Sequence, residues 1–589
     1  MYNQTKIGLM IVSLALLGSG CGSGQVALRA DEGAADSVEP AAKAPQGQIF
    51  KVADFGATGD GVTDDGPAIR RAVAAAIAAG PGARVVFEDK AYRLDHKPSS
   101  PYHINLEDVA DIHLEGNGAL LINNPRNSIM NLTRCSGVTV TGFQFDVEPL
   151  PFTQGTVVAA DPDGKWFDME VHPGYRCPVE EFELHGDEIT PIEETWGMFL
   201  DPVERHRKRG VMDHIRMQEV RRSPQEGAVR VCVNTQRSPT VVDAVKALES
   251  GDRYVLPFSY EHFEGTVYVN RSTGCVFEDI EVYATKYGMT FRLEGSEGQI
   301  TFRRIYMGFR PGSDRLMSTA SDGFHCKHNR VGPLIEDSHF EGLLDDSINV
   351  SVTASFISAV EAPRVYRIRG EGAEEFRAGD RVMAYTPDRE EVLDDLVVES
   401  VEDLEDGYRR LTLNREIPNP GLNLSGDYFP GGFDKMGYTG LYNLDACGQG
   451  YIIRNNVFLA QRRHAVLARA PNGLIEGNLI DRVGGSAIFL GNEVGSFYEG
   501  PFPSDTVIRD NTIRNPMHLP IAIETRGSRG VRHISNIQLI GNRLETEQNL
   551  ALRVRGVEGL LLKDNRFMGP PGVPQSDLIQ LYHTTLVSD

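Results

Sequence analysis

The chain has 589 residues, too many for one compact core, so an elongated repeat or several domains is expected. It is 41% apolar and 24% charged, as soluble proteins are, and its net charge of -23 argues against nucleic acid as a partner because no basic excess is left to neutralise phosphates. An acidic surface suits neutral carbohydrate; it disfavours an anionic polymer unless Arg and Lys are concentrated at one site.

Lys6 precedes an apolar run, Ile7 to Leu17, too short to span a bilayer and read as a signal-peptide core. The run ends in Leu17-Gly18-Ser19-Gly20-Cys21, which resembles a bacterial lipoprotein cleavage site with Gly18 where an apolar residue is usual. Residues 1–21 are therefore expected to be a leader and 22–47, rich in Ala, Gly, Ser and Pro, a flexible tether. The expected destination is the periplasm or the outer membrane of a Gram-negative cell, with a lipid on Cys21 as the anchor. The other cysteines, Cys135, Cys177, Cys232, Cys275, Cys326 and Cys447, show no close pairing, so scattered thiols with at most one disulfide are expected and no metal site.

Next comes FKVADFGATGDG from Phe50, a short strand and a Gly/Asp-rich turn. The following VTDDGPAIRRAVAAAIAAG reads as a helix with Ile69, Val73 and Ile77 on one face. The turn lacks the GK[ST] ending of a nucleotide loop, and Asp60, Asp64 and Asp65 would repel phosphate.

Farther on, a polar residue recurs inside short apolar strands, at Asn456, Asn478, Asn511, Asn542 and Asn565, and Ile280, Ile305 and Ser338 hold the equivalent positions upstream. Apart from one step of 118, the intervals run from 22 to 33 residues, which fits one rung of a parallel β-helix with the asparagines stacked in a turn. Two stretches interrupt the repeat, 150–265 and 353–432, and both alternate like antiparallel strands. The expected class is thus all-β: a right-handed parallel β-helix with an N-terminal capping helix and two inserted small β-barrels. The expected division is 48–149 for the cap and first rungs, 150–265 for a barrel, 266–352 for further rungs, 353–432 for a second barrel and 433–589 for the last rungs. Trp166 and Trp196 lie in the first insertion, where a barrel core is the expected home for at least one and a sugar platform the alternative.

The candidate chemistry lies in SDGFHCKH around Asp322 and LLDDSINV around Asp345 and Asp346, 23 and 24 residues apart. One rung apart means stacked on one face, so at least one of the doublet should sit beside Asp322. Crowded carboxyls repel, and at least one should hold its proton, as glycoside hydrolysis needs: one carboxyl to protonate the leaving oxygen, one carboxylate to activate water or attack. Strand alternation would send Asp345 and Asp346 to opposite faces, so a turn or bulge must begin there if both point outward. His325 could orient a carboxylate or bind a sugar hydroxyl, or be an ordinary turn histidine. Calcium held by the carboxylates is an alternative use of the cluster.

These residues carry a family resemblance. The cap block resembles that of the pectate-lyase-like β-helix superfamily. The aspartate spacing is similar to that of inverting polygalacturonases, whose GHG and RIK elements are absent. GSDRLMSTASDGFHCKH, FEGLLDDSINV, YIIRNNVFLAQRRHAVLA and NEVGSFYEG resemble glycoside hydrolase family 110, exo-acting α-1,3-galactosidases, across about residues 48 to 580. The resemblance implies an inverting, metal- and cofactor-independent hydrolase of terminal α-linked galactose. It implies Asp322, Asp345 and Asp346 as the catalytic group, with His325, Asn349, Arg463 and Glu499 holding the sugar; a homodimer is kept open. Ser351-Val352 stands where the family has His-Gly, and Phe497 where it tends to have Trp. Two other classes compete: a calcium-dependent polysaccharide lyase with Lys327 as its local base, and a non-catalytic glycan-binding adhesin.

Overall fold

A computed structural model describes residues 47–588 except 96, 98, 187, 237–238, 261–264, 287, 426–436, 495–496 and 526–532. The expected leader, Cys21 and all but the last residue of the expected tether lie outside the described residues.

The chain winds as a right-handed parallel β-helix with three faces. In the early rungs one long strand serves two faces. His113–Asn123 pairs with Arg84–Val86 through its first half and with Ala91–Leu94 through its second. In later rungs that strand splits into two short ones, such as Ile452–Arg454 and Val457–Leu459, with an asparagine between them. The third face stacks Phe291–Glu294, Phe324–Lys327, Ile348–Thr353, Val466–Ala468 and Ile488–Gly491 in parallel register.

Identical strand spacing sets the packing inside. Phe277 stacks on Phe302 at 5.0 Å, Phe291 on Phe324 at 5.0 Å and Phe340 on Phe458 at 4.8 Å, close to the separation of neighbouring strands. The buried apolar side chains form one continuous core along the coil. At its N-terminal end the helix Gly66–Ala79 buries Ile69, Ala72, Val73 and Ala76, with Ile77 partly buried beside them. The Asp65 carboxylate accepts the Thr58 and Gly59 amides at 2.6 and 3.1 Å, so it is the Gly/Asp turn's fastening rather than a ligand site.

The asparagines form a ladder. Asn456, Asn478, Asn511 and Asn542 each offer a backbone N–H and a side-chain N–H to the Oδ1 of the next, ending on Asn565, at 2.9–3.1 Å. Each also donates to a carbonyl of the preceding rung. The residue before each ladder position is left-handed: Asn455, Gly477, Asp510, Gly541 and Asp564 all have positive φ. Asn, Asp and Gly tolerate that conformation best. Upstream the ladder continues with Ser338, whose Oγ accepts the Ile305 amide at 3.0 Å.

Both interruptions are closed six-stranded barrels. The first runs from Phe152–Ala160 to Arg253–Pro257 and is inserted between the second and third faces. The second begins with Ser355–Ala362 and closes with Gly440–Asn443, beyond the 353–432 span expected from sequence. That strand pairs with Arg381–Thr386 and Ser355–Ala362, and its short GLYN stretch gives too little alternation to read. The six cysteines of the described residues are all free.

Candidate active site

Register decides which side chains meet. Phe324 pairs with Ile348, and Ile348 with Val466. Two residues before each strand start lie Asp322, Asp346 and His464, in the turn joining the second face to the third. One residue earlier still, Asp345 is followed on the next rung by Arg463. The doublet therefore sits in a turn rather than a strand, which releases it from alternation and lets both carboxyls share one side. One carboxylate oxygen from each of Asp322, Asp345 and Asp346 lies within 4.8 Å of the others.

The three environments differ. Asp322 and Asp346 are each 7% exposed, whereas the Asp345 side chain is 34% exposed. Asp322 Oδ2 is hydrogen-bonded to His325 Nδ1 at 2.6 Å. Asp346 Oδ1 accepts the His464 amide at 2.8 Å, and the Asp346 amide donates to Asp345 Oδ1 at 3.1 Å. Asp345 is in an ion pair with Arg462 at 3.0 Å. Burial first, then the negative charge of Asp345, pushes the Asp322 and Asp346 carboxyls well above the usual carboxylate range. Burial, helped by Lys327, pushes His325 down to about 4, so it is neutral at pH 7.

On the outer surface of the third face, His325 lies between Arg292 and Asn349 in register. Asn349 is buried, and its Oδ1 has no hydrogen-bond partner among the described residues. Glu499–Gly500 pairs antiparallel with Val352–Thr353, bringing Glu499 to the same wall. Its carboxylate spans Lys327 at 3.2 Å and Arg469 at 3.0 Å. Burial opposes its ionisation, but Lys327 and Arg469 outweigh burial and hold it down to about 2. Lys327 also contacts Glu371 of the second barrel at 3.4 Å and Thr353 at 3.1 Å. Burial favours its neutral form, yet Glu499 and Glu371 keep it protonated.

The first barrel forms the opposite rim. Its Asp213 binds Arg462 at 3.1 Å and Arg463 at 3.3 Å, and Trp196 lies under the Arg462 guanidinium at 4.6 Å, stacked on His214. Trp196 is buried, so it is packed rather than an open platform. Trp166 carries Arg230 on its ring at 3.4 Å.

All seven candidate residues from the sequence thus lie around one corner of the coil. Asp322, Asp345, Asp346, His325 and Asn349 share two adjacent rungs, Arg463 reaches them from the next, and Glu499 closes the far side. Lys327 is expected from sequence only as a lyase base and Trp196 only as a barrel residue or platform, while Arg462, Arg469, Asp213 and Glu371 are not expected as partners of this cluster. Arg462 and Arg469 are reached by carrying the register forward, since Asp346 to His464 is the same 118-residue step as Ser338 to Asn456. The barrel residues carry no such signal. A carboxyl cluster this compact is also what a hard cation would accept.

No protein-family model matches the chain. It is similar to a protein named α-1,3-galactosidase B of Akkermansia muciniphila, 24% identical over 80% of this chain, and the match spans 58% of that protein's length. It is also similar to α-1,3-galactosidases B and A of Bacteroides thetaiotaomicron, 23% and 24% identical over 88% and 84% of this chain and 86% and 84% of theirs. Among solved structures it is similar to the Streptococcus pneumoniae surface adhesin PfbA, with a TM-score of 0.38 and 11% identity covering 92% and 97% of the two chains. Over 80–88% of its length, then, this β-helical chain is similar, at 22–24% identity, to bacterial proteins named α-1,3-galactosidase.

Proposed function

We propose that the protein is an exo-acting α-1,3-galactosidase that hydrolyses terminal galactose with Asp322, Asp345 and Asp346. One observation carries the reading: three carboxyls from adjacent rungs, two of them shifted toward the protonated form by burial and one paired with arginine, meet within 4.8 Å. A protonated carboxyl of Asp322 or Asp346 gives its proton to the glycosidic oxygen as the bond to the anomeric carbon breaks. Asp345, paired with Arg462 at 3.0 Å, activates the water or attacks that carbon. His325, Asn349, Arg463 and Glu499 bind galactose hydroxyls; the unmatched Asn349 Oδ1 is an acceptor awaiting one.

The family resemblance implies inversion, which needs acid and base carboxyls about 6.5–9.5 Å apart, whereas retention needs about 5–5.5 Å. NMR of the first-formed anomer decides: β-galactose from an α-galactoside means inversion, α-galactose means retention. The lyase reading fails on its base, because Lys327 is buried between Glu499 and Glu371 and stays protonated. Aryl α-galactosides and α-1,3-linked galactosyl oligosaccharides should be hydrolysed, with activity surviving a chelator. A product absorbing near 235 nm from a uronate polymer, abolished by chelator, would replace this reading by the lyase. The leader reading makes the enzyme exported and lipid-anchored through Cys21, which mass spectrometry of the mature N-terminus tests.

A further inference from the structure

Charge beside the aspartate cluster is unbalanced. Arg207, Arg462 and Arg463 converge on one oxygen, Asp213 Oδ2, at 3.7, 3.1 and 3.3 Å. Arg462 is further occupied by Asp345 and by the Leu344 carbonyl. Arg207 is not: it is 9% exposed, its side chain donates no hydrogen bond among the described residues, and its buried Nε has no acceptor. A buried guanidinium N–H left unmet beside a single long ion pair is costly unless something arrives to take it. Among the described residues Arg463 has only Asp213 as an ion-pair partner, and it keeps 43% of its side chain exposed.

The neighbouring groups do not restore the balance. Burial and then adjacent arginines hold His214 and His518 below the ordinary histidine value, so both are neutral at pH 7. Burial and then the charge of Asp345 shift Asp346, which faces Arg463, toward its protonated form. Among the described residues three guanidiniums have two carboxylates within ion-pairing distance, Asp213 and Asp345, in a chain whose net charge is -23. The surplus sits where the first barrel meets the coil, one arginine side chain from the reacting carboxyls.

We infer that Arg207, together with the edge of the Arg463 guanidinium not engaged by galactose, forms a subsite for an oxyanion borne by the substrate, a sulfate ester or a carboxylate on the sugar next to the terminal galactose. The inference rests on the proposed galactosidase activity and names its substrate class. Guanidinium forks match sulfate and carboxylate oxygens bidentately, and the half-closed setting strengthens each contact.

Two measurements test it. Calorimetric titration with inorganic sulfate reads the subsite without turnover; Arg207→Gln should weaken binding at least tenfold. Paired α-1,3-galactosyl disaccharides, with the second sugar neutral, sulfated or a uronate, read it in catalysis. The wild type should favour one anionic partner over the neutral one by at least tenfold in kcat/KM, and the favoured arm identifies the oxyanion. That ratio should fall toward one in Arg207→Gln and in Arg463→Gln, whose exposed side chain makes misfolding a poor explanation. Equal kcat/KM for neutral and anionic substrates in the wild type, or a ratio unchanged in both variants, overturns the subsite. Sulfate binding lost in Arg207→Gln with no galactoside hydrolysed at all would uphold the subsite and refute the galactosidase.

Discussion

Asp345→Asn replaces one oxygen at the centre of the cluster and separates catalysis from folding. Unit charges 4.8 Å apart, the widest separation in the cluster, repel by about 3.5 kcal/mol at an effective dielectric near 20, which sets the order of the push Asp345 exerts on Asp322 and Asp346. The asparagine keeps the volume, and its Oδ1 can still accept the Asp346 amide. Arg462 loses one partner but retains Asp213 at 3.1 Å and the Leu344 carbonyl. Because Asp345 is 34% exposed, the lost ion pair costs at most about 1 kcal/mol, partly offset by the relieved repulsion. The lost base or nucleophile should cost about 10²–10⁴ in kcat. With the negative charge gone, the neighbouring carboxyls ionise more easily, so the alkaline limit of any residual activity should move to lower pH. Galactose release from an α-1,3-galactosyl disaccharide, followed beside thermal unfolding, reads both effects. A variant that melts like the wild type and keeps kcat within tenfold would refute the assignment.

Asn511→Ala should cost about 2–4 kcal/mol in urea unfolding, since it strands the Asn478 backbone and side-chain donors and the Ile475 carbonyl inside the coil; a loss under about 0.5 kcal/mol would show that the ladder is dispensable. Glu499→Gln leaves Lys327 and Arg469 short of a buried carboxylate and should destabilise by about 3–5 kcal/mol, against no change if the triad is idle. Glu499 ionises near 2 when folded and near its ordinary value when unfolded, so its stabilisation is present above about pH 4.5 and lost as pH falls toward 2. The urea midpoint of Glu499→Gln should therefore fall less over that window than the wild type's, and parallel slopes would contradict the pairing. His464, held near 3 by burial, stays neutral in the fold while the unfolded chain protonates near 6.5. Its contribution is present above that value and lost on acidification, so His464→Gln should flatten stability between pH 6.5 and 4, and an unchanged slope there would count against a buried neutral imidazole.

What the sequence makes legible is what repeats. A ladder asparagine must recur once per rung because each amide needs the next Oδ1, so Asn456, Asn478, Asn511, Asn542 and Asn565 announce the coil. The same arithmetic places Asp322 level with Asp346, because the turn before each third-face strand stacks like the strand itself. It does not show that Asp345 joins them, since only a turn frees it from alternation. Carrying the register one step further reaches Arg463 and His464. Asp213, Trp196 and Glu371 obey no period: they come from inserted barrels, and their arrival at the site depends on how each barrel leans on the coil. The closing strand Gly440–Asn443 escaped for a related reason, being too short for its pattern to outweigh the glycines around it.

Whether carboxyls of two adjacent rungs cleave one galactoside is measured most directly by incubating the wild type and Asp322→Asn with an α-1,3-linked galactosyl disaccharide and quantifying free galactose. Release by the wild type, falling by at least a hundredfold in the folded variant, is the expected result. Wild-type protein that frees no galactose from any α-1,3-galactoside, or a variant that matches its rate, would contradict it.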